Sequence, residues 1–468
     1  MRHYRGWCAL LIAVAALALW VGWVGFEASD DSLYYVGADA WLRHPPSAGA
    51  DHWSTRFPLV LAFAAVLATV GRNFIAFAVT GLLFYAAFVA LVGRYARSIG
   101  GARAGWIAAL LIASLPVVVA NATTPGIDLV EASALIAGAM LLGSERAGVA
   151  RGFAAGLCFG IAILCRETSV LPLAVFAPLF LIGRPVPRRV LVAAGIGIVL
   201  VLGLEAMFQY ALTGDPLRRY AIAFHHDEHI DRAANAEGNV LLWPPIDPLL
   251  VLLINDDFGA LFWLAGLALA LGATRALGEN ARRRLILLAA MAGSAFVLVG
   301  ALYTKLVLNP RYFMLAAVVA TLVLALWLDR LAARWRTVLI AAIIASDLIL
   351  MGAANAHPRW EMEALVAAAR AHPGEIVAGT PADVRRAALP IAFGELHNIR
   401  PAPVAPGTLM IARADAAPAG AIVARYPSPP TRLGGLVRAL GLAPLVPQAI
   451  AHRLFAPGPE IVLVRTQG

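Results

Sequence analysis

The sequence predicts an all-α polytopic membrane bundle followed by a small α/β domain. Three observations predict it. Apolar residues fill 61% of the 468 positions and charged residues only 14%, where a soluble globular chain has about half and about a quarter. The apolar excess is gathered into runs near the ~20 residues a helix needs to cross a bilayer. After residue 353 those runs stop, proline becomes frequent, and short β-type segments take over.

The expected spans fall at about 7–26, 73–92, 104–120, 128–143, 152–165, 168–183, 190–208, 258–272, 285–303, 311–328 and 337–353, eleven in all. The first follows Arg2 and Arg5 as a signal peptide would. Its apolar core exceeds the ~7–15 residues of a secretory leader and no convincing cleavage site follows, so it reads as a retained anchor. The run Pro58 to Val70 is too short to cross and reads as an interfacial or re-entrant helix.

Charge sets the expected orientation. With the N-terminus inside, the inner segments 1–6, 93–105, 144–151, 184–189, 273–284 and 329–336 hold 17 arginines against three acids. The outer loop 27–56 holds five acids and two arginines, and the outer loop 209–257 eight acids and three arginines. Inner loops are arginine- and lysine-rich in membrane proteins, so the pattern predicts N-terminus in and C-terminus out. The net charge of +9 does not indicate nucleic acid, because the arginines are scattered over short loops and form no basic stripe. Cys8, Cys158 and Cys165 all lie in apolar runs, which leaves no disulfide framework or cysteine metal motif in the C-terminal part.

Two domains follow: 1–353, the membrane domain, with a first outer loop at 27–72 and a large outer loop at 209–257; and 354–468, a soluble α/β domain outside the membrane. In the latter, 374–380, 408–414, 421–426 and 460–466 read as strands. Pro381 to Leu389 and Arg432 to Leu440 read as helices, the first with Thr380 as N-cap and proline at its first position.

The orientation puts the unusual polar residues on one rim. Asp30, Asp31, Tyr34, His52, Trp53 and Arg56 lie in the first outer loop, and Asp128 opens a span. Arg166 and Glu167 form a turn between two short spans, while Tyr303, Lys305, Arg311 and Tyr312 flank another outer turn. A carboxylate held at a membrane surface is costly, which points to chemistry. Acids also favour the first turn of a helix, so a capping role for Asp30 and Asp31 fits the spacing equally well, as it does for Asp128. On such a helix Leu33, Gly37, Ala40 and Trp41 would form a lipid-facing stripe. Arg166 and Glu167 could simply pair with each other, and Lys305 and Arg311 could be interfacial cations that snorkel. His225 and His229 stand at i,i+4 but lack the HExxH order, which leaves them weak metal candidates beside a solvated acidic loop.

The order of these motifs resembles a known group: one span, the acidic pair with Tyr34, HWSTRFPL at 52–59, a span opening with Asp128, the RET turn at 166–168 and KLVLNPRYFML at 305–315. It is similar to the C-superfamily membrane glycosyltransferases, near family 39 with its protein mannosyltransferases and the aminoarabinose transferases of lipid A. The acidic pair is Asp-Asp where that family usually shows Asp-Glu, and its PPL is Phe57-Pro58-Leu59 here. The resemblance implies an inverting transferase that moves a sugar from a polyprenyl-phosphate donor to an acceptor hydroxyl on lipid, glycan or protein, at the outer face of a bacterial inner membrane. It implies Asp30 as general base with Asp31 as helper, Asp128 orienting acceptor or a divalent metal, and Lys305, Arg311 and Arg166 meeting the donor phosphate. Glu167, Tyr34, His52, Trp53, Arg56, Tyr303 and Tyr312 would line the substrate site. Two other classes keep buried charges: a flippase of lipid-linked sugars, and a non-catalytic envelope-assembly protein. No inverted repeat of the transporter kind is visible.

Overall fold

The computed structural model describes residues 2–144, 148–225, 246–302, 309–354 and 359–467. Each expected span falls on helix. The first is Arg2–Val21. The runs 73–92 and 104–120 join into one assigned helix, Phe74–Ser114, but Gly101 inside it has φ +88°. Only glycine enters that left-handed region without strain, so the chain reverses there. The two legs then run side by side: Tyr85 OH donates to Ala113 O at 2.7 Å, and a Cβ on Gly93 would lie 3.2 Å from that of Ala109. The 41 residues are therefore a helical hairpin rather than one long crossing.

Ile127–Leu142, Val149–Cys165, Arg188–Thr213, Leu261–Ala270, Glu279–Ala301, Met314–Arg330 and Ala333–Ala354 follow. The expected span 168–183 is broken into short pieces, Glu167–Ser169, Val170–Leu173 and Phe176–Ile182. Five described helices are long and apolar enough to cross a bilayer, and the chain is an integral membrane protein. The arginine-rich segments come together at one end of the bundle. Arg284 donates to Ser98 O at 2.6 Å and Gly143 O at 3.0 Å, and Arg330 to Gly272 O at 3.0 Å. These bonds neutralise helix-end carbonyls that would otherwise lack partners.

At the opposite end two helices lie outside that pattern. Phe57–Val70 has 14 residues, with Pro58 in its first turn; its length of about 21 Å falls short of a bilayer's hydrocarbon core. Asp30–Arg43 buries Asp31, Tyr34, Tyr35, Gly37, Ala38 and Asp39. The expected lipid-facing stripe is therefore corrected. Gly37 sits against Ser54 so closely that a Cβ would come within 2.8 Å of its backbone, and Trp41 stacks on Phe208 at 5.8 Å. Val36 and not that stripe is exposed. The stripe is apolar because it packs on protein, which hydropathy alone does not distinguish from lipid.

The C-terminal part forms a five-stranded sheet from β1 Val377–Gly379, β2 Ile399–Pro401, β3 Leu409–Arg413, β4 Gly420–Tyr426 and β5 Ile461–Thr466. The order is β2-β1-β3-β5-β4, with β1 parallel to β2 and β3, and β5 antiparallel to β3 and β4. Four strands were legible; β2, which carries a single buried apolar residue, Ile399, was not. Thr380 caps its helix as expected, accepting from Asp383 N at 3.1 Å, but that helix ends at Arg386 and a second begins at Ala388. The sheet shares one core with the Asp30–Arg43 helix, including Tyr34, Tyr35, Phe63 and Leu365. Phe393 meets Tyr35 at 5.4 Å and Phe74 at 5.0 Å; such aromatic pairs contribute about 0.5–1.5 kcal/mol each beyond burial.

Candidate active site

The two acids that open the Asp30–Arg43 helix point different ways. Asp31 is 2% exposed and turns back on its own chain. Its carboxylate accepts from Glu27 N at 2.6 Å, Ser29 N at 2.9 Å, Ser32 N at 2.9 Å and Thr124 Oγ1 at 3.2 Å. Ser32 N lies in the first turn of the helix, where N–H groups lack helical partners, while Glu27 N and Ser29 N precede it, so Asp31 ties the entering chain to the helix start. Burial raises its pKa above the usual aspartate value, and the backbone donors oppose the rise. Asp30 is half-exposed and faces Arg311, Oδ2 to Nη1 3.5 Å.

The turn 121–128 supplies the floor. Thr123 Oγ1 accepts from Val24 N at 3.1 Å and Gly25 N at 3.0 Å, so the end of the first span is fastened to this turn. Asp128 then opens its helix 2.7 Å from Arg166 Nη2. Arg166 also lies 3.2 Å from Glu131 Oε2, and Ser169 Oγ donates to Glu131 Oε1 at 2.6 Å. All three charged groups are nearly removed from solvent, Arg166 with 6% of its side chain exposed. Arg166 and Glu167 do not pair with each other. Glu167 turns aside to Arg219, which is fully buried and donates to Glu167 Oε1 at 2.8 Å and to Ile163 O at 2.8 Å.

The aromatic side is built from the first loop. Arg56 binds Tyr34 OH and reaches His52 Nε2 at 2.5 Å, while Trp53 stands edge-on to His52 at 5.6 Å. Tyr34 is fully buried, and burial pushes its hydroxyl pKa up to about 12, so what accepts from Arg56 is a neutral hydroxyl. Tyr312 bridges two cations, with the guanidinium of Arg166 at 5.2 Å from its ring and that of Arg311 at 6.0 Å. Asn309 accepts from Arg311 N at 3.1 Å and so fixes the turn that carries both. Asp128, Glu131, Arg166, Arg311 and Tyr312 line a small open cleft of about 30 Å³.

Asp30, Tyr34, Arg56, Asp128, Arg166, Arg311 and Tyr312 are thus brought to one rim. Tyr303, Lys305 and His229 lie outside the described residues. His225 ends the Arg218–His225 helix, exposed, its Nδ1 2.6 Å from Ala221 O. Sequence reasoning placed Glu131 beside Asp128 at the start of the same span but gave it no role, and it passed over Ser169, Thr124, Glu27 and Arg219. Glu131 had a signal, since it stands three residues after Asp128 and shares its helix face. Arg219 had none, because nothing local ties it to Glu167. Among the described residues no group of three or more His, Cys, Asp or Glu is placed to hold a metal ion. Asp128 and Glu131 have their charge met by the Arg166 guanidinium, so the described donors do not fit a divalent cation.

Residues 54–209 match the family model described as dolichyl-phosphate-mannose-protein mannosyltransferase. In three dimensions the chain is similar to ArnT from Cupriavidus metallidurans bound to undecaprenyl phosphate, with TM-score 0.60, 15% identity, and 98% of each chain covered. The two share their fold. The chain is also similar in fold to the Archaeoglobus fulgidus oligosaccharyltransferase. In complex with Zn and sulfate, that enzyme gives TM-score 0.50 at 16% identity, over 80% of this chain and 60% of that one. Tethered to an acceptor peptide containing the NVT sequon, it gives 0.51 at 15% identity, over 81% and 62%. None of the curated proteins matches the chain in sequence.

Proposed function

We propose that this protein is an inverting glycosyltransferase that moves a sugar from a polyprenyl-phosphate donor to an acceptor hydroxyl in the cleft beside Asp30. The observation that carries the proposal is a half-exposed carboxylate 3.5 Å from an arginine at the mouth of a membrane bundle. A base and an anion-binding cation at that distance suit an acceptor hydroxyl on one side and a leaving phosphate on the other. The match to a mannosyltransferase family model over 54–209 and the similarity to a fold seen with undecaprenyl phosphate support the same donor class.

In this reading Asp30 takes the proton of the acceptor hydroxyl as its oxygen forms a bond to the anomeric carbon. The bond from that carbon to the phosphate oxygen breaks, and its electron pair leaves with the polyprenyl phosphate. Attack opposite the leaving group inverts the carbon. Arg311 meets the charge that grows on the phosphate, and Lys305, six positions earlier in the sequence, is the second cation. Arg166 already faces two carboxylates, so its role is to hold Asp128, Glu131 and Tyr312 in place. Asp31 acts by fixing the start of the helix that presents Asp30. We place the N-terminus inside, eleven crossings along the chain, and the cleft with residues 354–468 outside the plasma membrane. The 17 arginines of the inner segments support that orientation.

The test is transfer of label from a panel of polyprenyl-phosphate hexoses and pentoses in reconstituted vesicles, with Asp30→Asn as the control protein. Covalent product from the parent, and a loss of about 10²-fold or more with Asp30→Asn, is expected. Label crossing the bilayer without product would mark a flippase instead, and neither event would leave an assembly role.

A further inference from the structure

We propose that the helical hairpin Arg432–Phe455 of the sheet domain lies in the membrane interface and binds anionic phospholipid headgroups. It consists of the helices Arg432–Ala439 and Gln448–Phe455. One side is fastened to the ends of the first and last membrane helices. Arg432 donates to Trp20 O at 3.0 Å and stands 5.9 Å from the Trp23 ring. Leu433 fills the space beside Gly352, where a Cβ would come within 2.4 Å of it. The hairpin is closed by Thr431 N donating to Leu454 O at 2.9 Å.

The other side has no protein against it among the described residues. Leu436 is 41% exposed, Leu440 61%, Leu442 44% and Leu445 77%. Between Arg432 and Phe455 the sequence holds Arg432, Arg438, His452 and Arg453 and no acidic residue. Four exposed leucines with Arg438 and Arg453 and no carboxylate, at the depth where two membrane helices end, match an element that seats leucine among acyl chains and arginine among phosphates. Continuity with Trp20 and Trp23 favours lipid over a second copy or another protein, because tryptophan marks the headgroup level of a span. The hairpin would then anchor the sheet domain at a second point, besides its junction with the last helix. This holds whichever reaction the cleft performs.

The test uses the full chain in nanodiscs with Cys8, Cys158 and Cys165 replaced by alanine. A single environment-sensitive fluorophore is placed through Leu445→Cys, or through Arg385→Cys on the exposed helix Pro381–Arg386. Lipids carry a spin label near the headgroup. At 445 the emission should shift to the blue and be quenched several-fold more than at 385, and more in phosphatidylglycerol than in phosphatidylcholine discs. Arg438→Gln with Arg453→Gln should remove that lipid difference. Equal, water-like emission at both positions would overturn the proposal. A shielded fluorophore that lipid spins do not quench would also overturn it in favour of a protein partner, and equal quenching in both lipids would overturn the headgroup preference.

Discussion

Arg311 Nη1 stands 3.5 Å from Asp30 Oδ2, and both side chains are about one third exposed. That separation is too long for a tight ion pair; Arg311 lines the cleft, and both side chains remain reached by solvent. The neighbouring pair, Arg166 with Asp128 at 2.7 Å, is closed and buried. The rim therefore carries one pair free to meet substrate and one that braces it, and different outcomes follow for each.

Arg311→Ala should weaken donor handling. Loss of a charge-assisted contact worth roughly 1.5–3 kcal/mol raises the half-saturating donor concentration about 10- to 100-fold, with a smaller effect on kcat. Arg311→Lys should recover part of it. A donor titration that overlays the parent's would remove Arg311 from the phosphate role.

Asp30→Asn and Asp31→Asn should separate cleanly. The first should abolish most turnover while thermal unfolding in detergent stays as in the parent. The second places an amide where three backbone N–H groups and Thr124 donate, which costs roughly 1–3 kcal/mol of stability. Equal melting of Asp31→Asn and parent would show that the cap contributes little.

Arg166→Met removes the cation shared by Asp128 and Glu131. Breaking a buried pair by deleting one partner costs about 3–5 kcal/mol, so the folded yield after extraction should fall. Adding Glu131→Gln should restore part of it, because one stranded charge is then gone. No recovery in the double variant would mean that Arg166 acts through packing.

Glu27 predicts a pH dependence. Burial, and then the charge of Asp31, push its carboxyl from the ordinary 4.5 to about 7, against the pull of Arg359 and Arg311. Between those values the folded state holds a proton that the unfolded chain releases. Stability is therefore greatest below about 4.5 and declines as pH rises to about 7. Glu27→Gln should flatten this part of the profile in thermal unfolding from pH 5 to pH 8. A variant whose slope matches the parent's would place the titration elsewhere.

The bundle and the C-terminal strands were readable because they rest on local signals. A run of apolar residues, a capping threonine with proline after it, and short apolar segments of strand-forming residues each report a short-range preference. The Phe74–Ser114 hairpin was readable as two spans because the segment 93–105, with Arg94, Arg97 and Arg103, interrupts the apolar run. The inward packing of Gly37 and Trp41 was not, since an apolar stripe looks the same against lipid and against protein.

By itself the sequence determined where the chain leaves water, which segments gather at the arginine-rich end, and that acids and cations meet at the other. Only the tertiary structure decided that Asp31 turns inward while Asp30 faces Arg311, and that Arg166 braces Asp128 and Glu131 while Glu167 goes to Arg219. Successive helix residues point about 100° apart. Which of them meets the cleft is set by the packing of distant helices, and ion pairs between such helices have no signature in the order of residues.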